Sequence, residues 1–171
     1  MILIISTCKE PLSELEFVEP IKRMVDKFIV KRFDNVTKDD LKNADKIIIC
    51  GTALKDFDYL ESNWNWIESF SKPLLGICAG AQVIGKAYGL HLKDETHIGQ
   101  QKVETIKPNK LCDGEFNAYF LHTKNVEGLE KIASSKGVPC ILKHPKKEHY
   151  AVIFHPEVMS KHIITNFLQK T

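Results

Sequence analysis

Apolar residues in the first half of this chain alternate between unbroken runs and a repeat of three to four residues. Ile2–Ser6, Phe28–Phe33, Lys46–Cys50 and Leu74–Ile77 are short, β-branched runs that read as strands. Between them, Leu15, Val18, Ile21, Val25 and Phe28 recur as on one helix face, and so do Leu60, Trp64, Ile67 and Phe70. Thr37–Asn43 reads as a short polar helix capped by Thr37, and Ala79–Tyr88 as a helix closed by Gly89. Continuous apolar strands alternating with helices predict an α/β fold, a doubly wound and mostly parallel sheet covered on both faces. Such sheets carry their sites outside the carboxyl ends of the strands. The ends of the third and fourth strands, near Gly51 and Cys78, are therefore expected to lie close together.

The rhythm changes in the second half. Lys102–Ile106, Asn117–Leu121, Val138–Lys143 and His149–Phe154 read as shorter strands, some of them antiparallel, with Lys143–Lys147 as a charged hairpin tip. A helix over His162–Gln169 closes the chain. Repeats, low-complexity segments and linkers are absent from the sequence, and residues 1–171 are expected to form one domain.

Composition narrows the function. Of 171 residues, 43% are hydrophobic and 27% charged, as in ordinary globular proteins, and the net charge of +2 gives no basic stripe for nucleic acid or an anionic membrane. No apolar run approaches the ~18 residues of a membrane span. Met1–Ser6 lacks the basic lead and cleavage site of a signal peptide. The five cysteines form no C-x-x-C pair and the seven histidines no H-E-x-x-H pair, which removes the zinc-knuckle, thioredoxin and zincin readings. Reduced thiols in the cytoplasm are the simplest expectation.

The candidate chemistry lies in Gly76-Ile-Cys-Ala-Gly-Ala-Gln82. An apolar run ends in a cysteine flanked at two residues on either side by glycine, and a helix pattern follows. This is how a chain sets a nucleophile on a sharp strand-to-helix turn, where crowding demands small neighbours. The helix start also favours a thiolate. A buried structural cysteine with glycine neighbours is the alternative. A nucleophile needs a base and an orienting acid. Ala151-Val-Ile-Phe-His-Pro-Glu-Val158 offers both, with His155 at a strand terminus and Glu157 two residues on.

Taken together, these residues resemble the class I (triad) glutamine amidotransferases. The resemblance rests on G-x-C-x-G-x-Q at Gly76–Gln82 and F-H-P-E at Phe154–Glu157. It extends to the strand ending at Cys50-Gly51, to Ile98–Val103 and to the closing Asn166–Leu168. It implies a flavodoxin-like sheet and a Cys78–His155–Glu157 triad that hydrolyses glutamine, with no cofactor and no metal. Backbone N–H groups of Ala79 and of the Gly51-Thr52 turn would form the oxyanion hole. Where relatives carry Gly-Gly-Pro, this chain reads Cys50-Gly-Thr-Ala, so Thr52 stands at the second glycine. Gln82 matches a glutamine that helps bind substrate, or is simply a polar residue on the elbow helix. His122, in Leu121-His-Thr123, either lines the glutamine pocket or is a solvent-facing loop histidine.

The family normally passes its ammonia to a synthetase. The chain ends soon after its triad, so a separate synthetase subunit is the expected partner. Ala133–Lys143 and Phe154–Val158 are similar to the amidotransferase part of GMP synthases. Two other classes stay open: a cysteine hydrolase of the same superfamily acting on another amide or γ-glutamyl bond, and a non-catalytic regulatory homologue.

Overall fold

The computed structural model describes all 171 residues. Nine strands form one sheet in the order β2-β1-β3-β4-β9-β8-β7-β5-β6. The strands are β1 (Ile2–Ser6), β2 (Phe28–Arg32), β3 (Lys46–Ile49), β4 (Leu74–Ile77), β5 (Leu92–Thr105), β6 (Glu115–Val126), β7 (Glu130–Ser135), β8 (Val138–Lys143) and β9 (His149–Val152). The first five in spatial order, β2-β1-β3-β4-β9, are parallel, and the remaining pairings are antiparallel. The expected α/β sheet with antiparallel strands in its second half is the observed fold.

Strand alternation distributes the core between two faces. Ile4, Ile48, Leu75, Ile77, Tyr150 and Val152 face one layer, closed by Phe17, Val18 and Ile21 and by the last helix through Ile163, Ile164 and Phe167. Leu3, Ile5, Ile47, Ile49, Leu74 and Ala151 face the other, closed by Tyr59, Trp64, Ile67 and the helix after β4. The helices are α1 (Glu14–Phe17), α2 (Glu19–Lys22), α3 (Lys38–Asn43), α4 (Trp66–Ser69), α5 (Ala79–Ala87) and α6 (His162–Lys170).

Two predicted helices are not continuous. The repeat from Leu15 to Phe28 breaks into the single turns α1 and α2, preceded by a 3₁₀ turn at Pro11–Ser13. Pro20 has no N–H to continue a helix from α1 and sits instead in the first turn of α2. Leu15, expected on the buried face, is 64% exposed. The repeat from Leu60 to Phe70 becomes a 3₁₀ turn at Asp58–Glu61 and the single turn α4. Between them the Asn63 side chain captures the Asn65 N–H at 3.0 Å, a local bond that competes with helix. Trp64 is buried, its indole N–H donating to the Tyr59 carbonyl at 2.7 Å, and its ring lies beside that of Trp66.

Other expectations hold closely. Thr37 caps α3 in a reciprocal capping box with Asp40. Gly89, at φ +69°, ends α5 in a Schellman turn: its N–H bonds the Lys86 carbonyl, and the Leu90 N–H bonds the Gly85 carbonyl, both at 2.9 Å. The tip at 144–148 joins β8 to β9 as an antiparallel hairpin. The β5–β6 hairpin is far longer than its apolar segments. The first part of β5, from Leu92, is polar and largely exposed, and backbone pairing to β6 holds it in place. β7 has no counterpart among the expected strands; Glu130–Ser135 mixes charged and small residues.

At the amino end of β9, His149 is fully buried between Tyr88, whose hydroxyl donates to Nδ1 at 2.8 Å, and the Lys72 carbonyl, 3.1 Å from Nε2. Burial, with nearby Lys147, pushes this imidazole down to about 4. The folded state therefore keeps it neutral while the unfolded chain, near 6.5, takes up a proton. Its contribution is complete above about pH 6.5 and is lost as pH falls toward 4, on the order of 3 kcal/mol in all. Urea unfolding of the wild type is expected to weaken through that window. His149→Gln, which keeps polar partners but cannot titrate, is expected to flatten the dependence.

Candidate active site

Three chain segments meet at the carboxyl ends of β3, β4 and β9. Cys78 follows β4 directly and takes φ 49°, ψ −100°, a conformation that costs a non-glycine residue on the order of 1–3 kcal/mol. The sheet holds it there: the Cys78 N–H donates to the Val152 carbonyl at 2.7 Å, and the Cys78 carbonyl accepts the first turn of α5 from Gln82 at 3.1 Å. The flanking glycines answer crowding. A Cβ on Gly80 would strike the Ile49 carbonyl, and one on Gly76 would strike the carbonyl of Gly80.

His155 leaves β9 with its N–H donated to the Tyr119 carbonyl at 2.8 Å, which ties it to β6. Its ring is 1% exposed, packs beside Phe17 at 5.5 Å between centroids, and bonds Glu157 Oε1 through Nδ1 at 2.7 Å. Nε2 has no hydrogen-bond partner, and neither does Glu157 Oε2. The Cys78 thiol points to the Leu121 carbonyl at 3.5 Å. Burial alone would push the His155 imidazole down. The Cys78 sulfur and then the Glu157 carboxylate outweigh it and hold the ring well above its usual value.

Gly51 fits because it has no side chain. An added Cβ would lie 2.7 Å from His155 Cε1 and 3.5 Å from Cys78 Cβ. Thr52, Cys78, Ala79, Gln82 and His122 line one pocket, together with Tyr59 and Leu121. Ala79 opens α5, so its N–H lies among those that a helix leaves without an internal acceptor. Neither the Gly51 nor the Thr52 N–H donates to a protein acceptor.

The two expected binding residues are differently placed. His122 sits on β6, not on a solvent-facing loop, and is 2% exposed with both ring nitrogens unpartnered. Burial, then the neighbouring His97 and His155, lowers it to about 4, so its ring is neutral at physiological pH. Gln82 is also buried, but its amide is engaged: Oε1 accepts the Tyr59 hydroxyl at 2.6 Å and Nε2 donates to the Lys124 carbonyl at 3.3 Å. Tyr59, Phe57 and Asp56 reach the pocket from the loop after β3. Sequence reading missed them because the residues from 53 to 59 carry no periodic signal; the Thr52–Asp56 spacing was the available clue. The pocket is a narrow, half-open cleft with about 10 Å³ of room for water-sized molecules.

Fold and site together define an α/β protein with a cysteine elbow facing a buried histidine–carboxylate pair. The family model for "Glutamine amidotransferase class-I" matches residues 19–171. The chain belongs to that family. It is 38% identical over 113 residues to the glutamine-hydrolyzing GMP synthase component of Methanococcus maripaludis strain C7, covering 57% of this chain and 59% of that protein. It is 28% identical over 145 residues to the corresponding GMP synthase component of Thermoplasma volcanium, covering 75% and 72%. The chain thus spans about three-fifths of the length of the Methanococcus relatives it matches, 59% of each. Among solved structures, a Thermoplasma acidophilum protein assigned to GMP synthase superposes with TM-score 0.81 at 22% identity, over 98% of this chain and 92% of that one. A glutamine amidotransferase from Thermotoga maritima gives 0.70 at 17%, over 98% and 80%. At these identities the structures speak to fold alone.

The tight seat of Gly51 against the His155 ring can be tested without a substrate. Gly51→Ala is expected to destabilise the protein by about 1–3 kcal/mol through overpacking. It should also remove the downfield proton resonance of a His155 Nδ1–H bonded to Glu157. Glu157→Gln should remove the same resonance, and proton NMR with chemical denaturation reads both.

Proposed function

We propose that this protein hydrolyses the side-chain amide of glutamine through Cys78, His155 and Glu157 and supplies the ammonia to a separate synthetase subunit. GMP formation is the favoured acceptor reaction, because the curated relatives are glutamine-hydrolyzing components of GMP synthase. The observation that carries the reading is the pairing of a strained Cys78 with an imidazole whose Nδ1 is fixed by Glu157 while Nε2 is left unpartnered.

In this reading Cys78 Sγ attacks the amide carbon. Negative charge develops on the amide oxygen, which the N–H groups of Ala79 and of the Gly51-Thr52 turn would receive. The imidazolium of His155 gives its proton to the departing ammonia, leaving a γ-glutamyl thioester. His155 then takes a proton from water, which attacks the thioester and releases glutamate. Glu157 fixes the ring so that Nε2 faces the chemistry. His122, buried and neutral, would offer the amide an N–H and a lone pair without adding charge, and Gln82 would bind substrate once its own amide is released.

As it stands, the cleft beside Cys78 is narrow for a glutamine side chain. In this reading the cleft widens as glutamine binds, and docking of the synthetase is the step that would favour it. This matches an enzyme that holds glutamine hydrolysis idle until an acceptor is ready.

6-Diazo-5-oxo-norleucine, a glutamine-like electrophile, is expected to add to Cys78, with faster labelling when the synthetase is present. Intact-mass spectrometry showing no adduct in either condition would sink the assignment. Cys78→Ala is expected to abolish ammonia release, and His155→Ala to lower it by about 10²–10⁴-fold. Ammonia release from glutamine that survives Cys78→Ala would move the chemistry elsewhere. Release from another γ-glutamyl amide but not from glutamine would favour a different hydrolase of the family.

A further inference from the structure

The loop after β3 is fastened to the end of β1 by side chains outside the triad. Thr52 Oγ1 donates to Asp56 Oδ2 at 2.8 Å, and the same carboxylate oxygen accepts the Lys9 N–H at 3.1 Å. The Asp56 N–H closes the turn on the Ala53 carbonyl at 2.9 Å. One residue earlier along β1's exit, the Cys8 thiol approaches the Gly51 carbonyl at 3.8 Å, and the Thr7 hydroxyl donates to the Cys50 carbonyl at 3.0 Å. Burial raises the Cys8 thiol, so it keeps the proton it donates.

These contacts fix a direction. Every peptide bond in the chain is trans. In a trans peptide the C=O and the following N–H point to opposite sides. With the Gly51 carbonyl turned toward Cys8, the Thr52 N–H is turned away from β1. That N–H has no acceptor within the protein, and Thr52 lines the pocket with Cys78 and Ala79. A threonine here has two rotatable connections to its surroundings, its peptide and its hydroxyl. The hydroxyl bond to half-buried Asp56 holds one while the Cys8 thiol holds the other.

We infer that Asp56 is a positioning residue for the oxyanion: through the Thr52 hydroxyl it holds the Gly51–Thr52 peptide with its N–H aimed at the pocket beside Cys78. The inference rests on the glutamine-hydrolysis reading above and assigns Asp56 no contact with substrate. Donors aimed at a developing oxyanion act mainly in the transition state, so their misalignment lowers kcat and leaves substrate binding nearly intact.

The test compares wild type, Asp56→Ala, Asp56→Asn, Thr52→Val and the double variant Asp56→Ala/Thr52→Val. Each full-length chain is assayed for glutamine hydrolysis by itself and with a GMP-forming synthetase. Inhibition by glutamate γ-semialdehyde, which adds to the thiol and carries an oxyanion, is measured alongside. Asp56→Ala and Thr52→Val are each expected to lower kcat about 10- to 100-fold with KM nearly unchanged, and to weaken the aldehyde by a similar factor. The double variant should be no worse than Asp56→Ala alone, because that change already removes the Thr52–Asp56 bond. Asp56→Asn keeps an acceptor for Thr52 and Lys9 and should recover most of the loss. Unchanged kcat in Asp56→Ala, additive losses in the double variant, or a rise in KM alone would each overturn the inference; the last would mark a direct substrate contact. A wild type that releases no ammonia and binds no aldehyde removes the glutamine reading, and this inference with it. A wild type that turns over beside an equally active Asp56→Ala removes only the clamp.

Discussion

Parallel pairing of β4 with β9 sets Gly76 opposite Ala151 and Ile77 opposite Val152, bringing together segments about half the chain apart. Much else in the site depends on this one ladder. Its last bond, from the Cys78 N–H to Val152, holds the strained cysteine in place, and the next residues of the β9 segment deliver His155 and Glu157. Neither strand has another route to this geometry. β4 is four residues long and buried at every position, and β9 is the same. Their ends are therefore fixed by packing on both faces of the sheet, and the left-handed cysteine is sustained by a surrounding structure that over-determines it.

The β5–β6 hairpin supplies the other wall. β6 lies at the sheet edge, and its outward carbonyls are taken by the site itself: Tyr119 accepts from His155, Leu121 from Cys78 and Lys124 from Gln82. An edge strand left bare would be a pairing hazard; here the His155–Glu157 segment and α5 cover it. The same contacts narrow the pocket. Tyr59 holds the Gln82 amide from one side and β6 holds it from the other, so that amide is already satisfied within the protein. The narrowness of the cleft follows from the packing of these three elements.

The parallel half of the sheet was legible because most of its strands are short apolar runs, buried on both faces in β3 and β4, and the elbow because Gly76, Cys78 and Gly80 answer a single steric demand. His155 was legible because it ends an apolar run. What escaped reading was held by interactions without a periodic signal. Pro20 divided an apparently regular helix, and Asn63 diverted another through a local side-chain bond. The first part of β5 is polar, and only its partner strand makes it β. Tyr59 and Asp56 reach the pocket from an irregular segment, where position is decided by tertiary contacts. His122 was visible as a histidine but not as a buried one, since its burial depends on the long β6 strand, of which only Asn117–Leu121 stood out.

Two buried imidazoles on the same site are held in opposite states. His155 has a carboxylate at one nitrogen and a sulfur nearby, and these overcome the cost of burial. His122 has no acceptor at either nitrogen, and His97 and His155 add repulsion to the cost of burial. Positive charge in the site is thus concentrated on the ring beside Cys78. Were both rings charged, repulsion would drive one proton out, and the geometry determines which: only His155 has Glu157. For a neutral amide substrate the division is useful. In the proposed reaction the charged ring would give its proton to the departing ammonia, while the neutral ring would present both a donor and an acceptor and leave the proton inventory of the site unchanged.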